Sequence, residues 1–438
     1  MFFINRTQRD SNTREKNSHW WPLLALFLLG LIGGIIYDTG DVLIRLWSRD
    51  MGVLPKQLDW LNGIEILHPL KFLWAPLFSV ALAFGPWTGR RAWILMVLGL
   101  VVCTVVGISY TPVFGLTFLA ILLVMTMARA SYDALIIASQ MDAVSKSLWG
   151  WSENSCVTGY RVGIMLTSNL ALRASFLGMS WPMIYLCIGI ILMASILFIG
   201  YSPLFGFLNT AQSAPETSSK KFGFWSSIQD WLGLRGSMIV ILFLIIYRLQ
   251  DGWIDPQREY FLLDTGLTKI SLAYLKTCGL FGTIAGGVAA GACIRYLGYR
   301  RALTLGLIVH GCAGGLLYLS SLYSGLPWWP ESLLKMAYFL EQTTKGWSTI
   351  TIFSFQLLCC QGGNIMTQLA LFSALSDLGM KIISARSGWL AQEFGWPTLM
   401  GVAAVSGLPA LCLIPYLFSR TFIREKTSSI QGDSMIDP

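Results

Sequence analysis

Asn209-Thr-Ala-Gln-Ser-Ala-Pro-Glu-Thr-Ser-Ser-Lys-Lys221 is the polar centre of 206–235, the longest non-apolar interval between the first and last hydrophobic segments of the chain. Its Ser/Thr-rich composition is that of a flexible linker. On either side runs a near-continuous series of apolar segments, each long enough to cross a bilayer. The linker therefore divides the chain into two comparable membrane halves: a tail and helical half over 1–205, and a second half with its own tail over 236–438.

Composition agrees. Hydrophobic residues make up 54% of the 438 and charged residues 12%, about half the charged share of a soluble domain. A water-soluble chain of this length has no place to hide so much apolar surface. The formal net charge of +8 does not point to nucleic acid, because the basic residues gather in short loops and tails, which is the pattern of membrane topology. The nine cysteines lie mostly inside apolar runs and act as small hydrophobes. They form no CxxC or metal-ligand spacing, and Cys359 and Cys360 are adjacent, too close for an ordinary bridge. The hydrophilic stretch up to His19 lacks the layout of a cleaved signal, and the apolar run after it is too long for a signal core. That run is read as a retained first span.

Twelve spans follow, each near or above the roughly 20 residues that cross about 30 Å of hydrocarbon: 20–46, 57–83, 91–110, 113–140, 154–177 and 181–205, then 236–258, 268–294, 300–323, 333–358, 365–393 and 397–419. With the amino terminus inside, cytoplasmic segments hold sixteen Lys and Arg, among them Arg6, Arg90, Arg91, Lys146, Lys220 and Arg301. The outer loops hold six: Arg49, Lys56, Arg173, Arg258, Lys269 and Lys335. That bias places both termini and the linker in the cytoplasm.

An even span count, two six-helix halves and a long cytoplasmic connection describe the major facilitator architecture. Gly89-Arg90-Arg91 after span two has a counterpart in Gly298-Tyr-Arg300-Arg301 after span eight, as expected of an internal repeat. Gly30/Gly34, Gly282/Gly286 and Gly287/Gly291 form small-xxx-small patterns that permit close helix approach.

Charges inside the spans are the informative residues, because an ion in hydrocarbon costs several kcal/mol unless it is paired or faces water. Asp38, Asp41 and Arg45 fall in span one, Arg129 and Asp133 in span four, Arg248, Asp251 and Asp255 in span seven, and Glu341 and Lys345 in span ten. Those are the first and fourth helices of each half, which line the central cavity in this architecture. Asp41/Arg45, Arg129/Asp133, Arg248/Asp251 and Glu341/Lys345 have helical-neighbour spacing, so internal neutralisation accounts for part of the set. Lys71, Arg161, Lys276, Asp377, Lys381 and Arg386 add further intramembrane charge, and Asp133 and Arg161 lie at similar depth. Asp38, Asp133, Asp251 and Glu341 are the carboxylates best placed to load and release a proton. His68 and His310 are also intramembrane, where a lone His is ordinarily a hydrogen-bonded core residue. No GxSxG, HExxH, Walker A or dinucleotide fingerprint is present, and no soluble domain is available to hydrolyse ATP. Secondary transport remains, with no cofactor or metal expected.

The residues resemble a known family, the AmpG-type muropeptide permeases of the major facilitator superfamily. Leu70-Lys71-Phe-Leu-Trp-Ala-Pro76 followed by Gly89-Arg-Arg91 is similar to the family's F-K-F-L-W-x-P…G-R-R signature. Ser131-Tyr-Asp133, Gly159-Tyr-Arg161-Val-Gly163, Tyr247-Arg-Leu-Gln-Asp251, Lys276-Thr-Cys-Gly279-Leu and Thr367-Gln-Leu-Ala-Leu-Phe-Ser373 follow in matching order. The resemblance covers about 28–417. Two departures stand out: Ser79-Val80 replaces an expected acid, and Ile137 stands where a second acid is expected four residues after Asp133. The resemblance implies a proton-driven importer of the bacterial inner membrane that takes up large amphipathic solutes such as anhydromuropeptides, and a monomer is expected. Siderophore import and a non-transporting assembly role are the alternatives. On this reading Lys71, Arg161, Arg248 and Lys276 contact an anionic solute or gate it, and Asp133, Asp251 and Glu341 couple protons.

Overall fold

The computed structural model describes residues 20–74, 89–111, 115–143, 149–209, 237–324, 326, 330–359 and 365–419. Outside these lie both tails, most of the linker, the second half of span two with Ala75, Pro76, Ser79 and Val80, and Lys146. All regular structure among the described residues is helical. Among the described residues, seven helical stretches are long and apolar enough to cross a bilayer. Two helices of 28 and 29 residues, Trp149–Phe176 and Glu331–Cys359, have the length but carry more polar groups.

The helices in chain order are α1 Trp20–Gly40, α2 Val42–Asp50, α3 Asp59–Ile64, α4 Arg90–Tyr110, α5 Leu116–Ala143, α6 Trp149–Phe176 and α7 Trp181–Tyr201. After the linker come α8 Ser237–Tyr247, α9 Leu249–Ile254, α10 Arg258–Asp264, α11 Lys269–Tyr323, α12 Glu331–Cys359, α13 Ile365–Ser406 and α14 Ala410–Ser419. Helix α11 turns at Gly298 and α13 at Gly395, with φ of 80° and 82°. An L side chain is strained in that left-handed region, so glycine is required there. Both turns fall in the intervals that hydropathy leaves between spans eight and nine and between spans eleven and twelve.

The described residues group into two compact units. One holds 20–47 and 73–209; the other holds 48–72 and 237–419. The loop after span one and the start of span two thus group with the second unit, although they lie in the first half of the sequence.

In the first unit a glycine seam joins α1 to α6. A Cβ on Gly30 would lie 2.1 Å from the Cys156 carbonyl oxygen, and one on Gly34 would lie 2.0 Å from that of Tyr160. Reciprocally, Gly159 and Gly163 would meet the Phe27 and Leu31 oxygens at 2.0 and 2.2 Å. Four glycines therefore bring two backbones to a spacing that no other residue permits. Arg91 closes the end of α7, donating to the carbonyls of Ile199, Gly200 and Ser202 at 2.6–3.0 Å. Those carbonyls have no partner within the helix, and a cation there also complements the helix dipole. Its sequence counterparts Arg300 and Arg301 are exposed, so the repeated basic motif performs different work in the two units.

The second unit has an apolar core around Phe243, Tyr247, Leu303, Phe355, Phe372 and Ile414, with Phe243 and Phe355 edge to face at 5.2 Å. Its entry segment differs from the expected continuous span two. Residues 55–73 form a 3-10 turn Pro55–Leu58, then α3, then 3-10 turns Glu65–Leu67 and Pro69–Leu73. Pro69 has no amide with which to continue a helical hydrogen-bond ladder, and side chains of this segment bond to α13. Asp59 accepts the Gly388 and Trp389 amides at 2.8 and 2.7 Å, and Asn62 donates to the Ser384 carbonyl at 2.8 Å. Glu65, three residues on, pairs with Lys381 at 3.3 Å, both buried. Gly388 permits the approach, since its Cβ would stand 2.0 Å from the Pro55 oxygen.

Candidate functional site

Span seven is discontinuous, and that discontinuity builds the site. Helix α8 stops at Tyr247, whose hydroxyl lies 2.8 Å from Thr351 Oγ1. Arg248 leaves helical geometry, with φ of −106° and ψ of 11°. Helix α9 then carries Asp251, and after Asp255-Pro256 the chain restarts as α10. Proline removes an amide and clashes with the preceding turn, which explains the second break. Span seven therefore runs on to Asp264 rather than ending at 258. Arg258, which the charge count assigns to an outer loop, is instead buried in α10.

These short helices face α11, α12 and α13 with a chain of ion pairs. Arg248 bonds to Asp377 on α13 and lies 3.4 Å from Asp251 Oδ2. Arg258 pairs with Asp255 and, at 2.8 Å, with Glu341 on α12. Lys345 Nζ sits 2.7 Å from both Asp255 oxygens. The Glu341 carboxylate also accepts from Gln342 at 3.0 Å. Glu341 and Lys345, four apart on one helix, thus do not neutralise each other as their spacing suggests; each takes its partner from span seven. Asp41 and Arg45 in the first unit, by contrast, do pair as expected. Stripping water from each such ion costs several kcal/mol, which is offset only when every charge is paired and hydrogen-bonded.

Carboxylate oxygens of Asp251, Asp255 and Glu341 converge within 4.8 Å of one another. Lys345 and Arg258 already occupy the places a bound cation would take. The arrangement is a network of side-chain ions that a proton can rebalance, and it does not have the open donor set of a metal centre.

Of the expected site residues, the structure brings Arg248, Asp251 and Glu341 into this network. Lys276 lies in the same unit in a separate pair, 3.3 Å from Glu259. Lys71 lies in the 3-10 turn Pro69–Leu73. Asp133 and Arg161 belong to the first unit, half-buried on α5 and α6. Arg161 stands between Gly159 and Gly163, and at 100° per residue it points away from the seam with α1. No carboxylate holds it among the described residues. In the same unit, Asp38 is fully buried with the Ser168 hydroxyl 2.7–2.8 Å from its oxygens, and Arg129 stacks 4.7 Å over the Tyr37 ring. Trp74 donates to Ser131, the first residue of the Ser-Tyr-Asp motif, at 3.3 Å.

Sequence reasoning left His310 outside the site, yet it is central. Its ring is buried on α11, Nε2 is 3.3 Å from Asp251 Oδ1, and Nδ1 is 2.9 Å from Thr344 Oγ1. Gly306 and Gly314, one turn to either side, let its helix close in. Cβ atoms there would meet Trp347 at 2.8 Å and Gln250 at 2.8 Å. Glycines at i−4 and i+4 about a lone His were the available signal.

No family model matches the chain. Solved structures share its fold. A bacterial homologue of the human lysosomal transporter Spinster superposes with a TM-score of 0.68 at 13% identity, over 93% of this chain and 98% of that one. The nucleoside transporter NupG gives 0.69 at 10%, over 91% and 100%. Among curated proteins, the anhydromuropeptide permease of Escherichia coli K12 is 24% identical over 396 residues, 89% of this chain and 78% of that protein. AmpG 2 of Rickettsia bellii, named as a transporter, is 29% identical over 91% of this chain and 96% of its own length. Its namesake in Rickettsia typhi is 30% identical over 402 residues, 90% of this chain and 95% of that protein. The relatives are transporters and not enzymes, the apolar helices are those of a membrane protein, and the chain belongs to the AmpG transporter family.

Proposed function

We propose that the chain is a twelve-span secondary transporter of the bacterial inner membrane, with both termini and the linker cytoplasmic, that imports a muropeptide by proton-coupled alternating access. The observation that carries the reading is the buried ion network around Asp251 and Glu341. An apolar membrane chain retains so many charges only where a solute or a proton must be handled. Arg161 supports the solute assignment, since a guanidinium with no carboxylate partner among the described residues suits the carboxylates of a peptide stem through bidentate hydrogen bonds. The name of the Escherichia coli relative supplies the solute class.

The test is accumulation in a Gram-negative host lacking its own muropeptide permease, comparing labelled anhydromuropeptide with ferric siderophores, with and without a protonophore. Protonophore-sensitive muropeptide uptake is expected, and Asp251→Asn should abolish it while the protein still inserts. Normal accumulation in that variant would refute the coupling role. Siderophore uptake in place of muropeptide would move the substrate.

A further inference from the structure

The pair at the centre of the network has an unusual feature. Asp251 Oδ1 and His310 Nε2 face each other at 3.3 Å, both deeply buried, and neither has a hydrogen bond of acceptable geometry. Buried polar atoms are almost always satisfied, and an exception calls for a reason. The surrounding charge supplies one. Arg248, Arg258 and Lys345 are three cations set among four carboxylates, Asp251, Asp255, Glu341 and Asp377. The described network is thus one positive charge short, and a proton on the His310–Asp251 pair balances it.

Thr344 gives that proton a place to come and go. Its hydroxyl oxygen lies 2.9 Å from His310 Nδ1 and 2.9 Å from the Glu341 carbonyl. With its hydrogen turned to the carbonyl, the oxygen accepts from an imidazolium Nδ1–H, while Nε2–H is directed to Asp251. With the hydrogen turned to Nδ1, it donates to a neutral ring that keeps Nε2–H toward Asp251. The two arrangements differ by one proton and a hydroxyl rotation, with the heavy atoms in place. Gln250 holds the segment by donating to the His310 carbonyl at 2.8 Å. Arg248 faces Asp251 from the break in span seven, Glu341 and Lys345 from α12, Asp377 from α13, and Asp255 from the end of α9. The Asp377 side chain is 30% exposed against 1% for Asp251, so the chain of pairs leads from an accessible edge to the enclosed dyad.

We propose that His310 and Asp251 form the proton-carrying pair of this transporter, with Thr344 as the hydroxyl that accommodates both of its protonation states. The assignment rests on the proton-coupled reading above. In each cycle the pair takes one proton from water on one side, as His310 imidazolium against the Asp251 carboxylate. It releases that proton to water on the other side, leaving neutral His310.

The test uses the full chain in proteoliposomes with labelled anhydromuropeptide as the probe. Two rates are compared: uphill accumulation driven by an inward proton gradient, and counterflow at equal pH and zero potential. In His310→Gln the ratio of accumulation to counterflow should fall by about tenfold or more, the scale of a typical coupling free energy. Thr344→Val should shift the pH dependence of accumulation, and Thr344→Ser should restore it. If wild-type accumulation ignores the gradient, the proposed function itself falls and the inference with it. If the wild type is coupled and His310→Gln keeps the wild-type ratio, only the inference is overturned. Should His310→Gln not reach the membrane, Thr344→Val decides: an unchanged pH profile overturns the pair's role, and a shifted one restored by serine sustains it.

Discussion

Gly286 and Gly291 both belong to small-xxx-small patterns on α11, and a sequence pattern treats them alike. The structure separates them. A Cβ on Gly286 would stand 1.8 Å from the Thr343 carbonyl oxygen and 2.8 Å from its carbon, while one on Gly291 meets nothing within 4 Å. Because the obstruction is backbone, Gly286→Ala can be relieved only by moving α11 and α12 apart, by about 1 Å or more to reach a tolerable contact. That separation also loosens Gly346, whose Cβ would lie 2.0 Å from the Thr283 oxygen across the same seam. Forced overpacking of this kind costs about 1–3 kcal/mol, or roughly 2–12 °C in midpoint for a unit of this size. Gly291→Ala adds a methyl group in open space and gains up to about 1 kcal/mol of helix propensity. Thermal unfolding of the purified protein in detergent, followed by circular dichroism, should therefore show Gly286→Ala melting well below wild type and Gly291→Ala at or above it. Equal shifts in the two variants would refute the close-approach argument.

Other perturbations test other contacts. Arg91→Ala should lower stability by about 1 kcal/mol through loss of the α7 carbonyl cap, whereas Arg300→Ala, at the repeated position, should stay within about 0.5 kcal/mol in the same melt. Glu65→Ala removes the buried carboxylate that pairs with Lys381 and should cost about 3–5 kcal/mol, with the Glu65→Ala/Lys381→Ala double variant less damaged than the sum of the singles in a double-mutant cycle. Arg161→Gln should raise the KM for anhydromuropeptide about tenfold or more with less effect on maximal rate, as loss of a charge-assisted hydrogen bond does, and Arg161→Lys should recover part of it.

Hydropathy located the long apolar helices, because length and apolarity decide bilayer crossing, but not the broken course of spans two and seven. It also marked spans seven and ten as charged, since ions are conspicuous against hydrocarbon. Partner choice was not legible. Glu341 and Lys345 have the spacing of an intrahelical pair, but Arg258 and Asp255 come closer in space because span seven bends at Pro256 and continues as α10. That same bend moved Arg258 from the expected loop into the buried network. The proline is visible in sequence, and Asp255-Pro-Gln-Arg-Glu259 around it is polar, so composition gave no reason to extend the span to Asp264. The Gly30/Gly34 pattern marks a close backbone seam, while Gly287/Gly291 does not, with Gly287 meeting the Ile350 side chain at 3.2 Å and open space at Gly291. Which face a glycine pair presents is decided by the partner helix and not by the spacing.

The energetics of the network bear on why it exists at all. Replacing a buried ion-pair cluster by packed apolar side chains is often neutral or stabilising by about 1–4 kcal/mol, and the second unit already has an apolar core a few turns away around Phe243 and Phe355. A chain selected for stability alone would extend that core through positions 251, 255, 258, 341 and 345. It instead breaks span seven twice, which forgoes intrahelical hydrogen bonds inside a membrane helix, where water does not replace them. The breaks do one thing a straight helix would not: they let Arg248 reach α13 while Arg258 and Asp255 reach α12, so four elements share one set of charges. Shared charge couples the elements, because moving any one of them strands a partner's ion. A proton arriving at the His310–Asp251 pair alters that balance for all four at once, and a transporter can use such an event to change conformation.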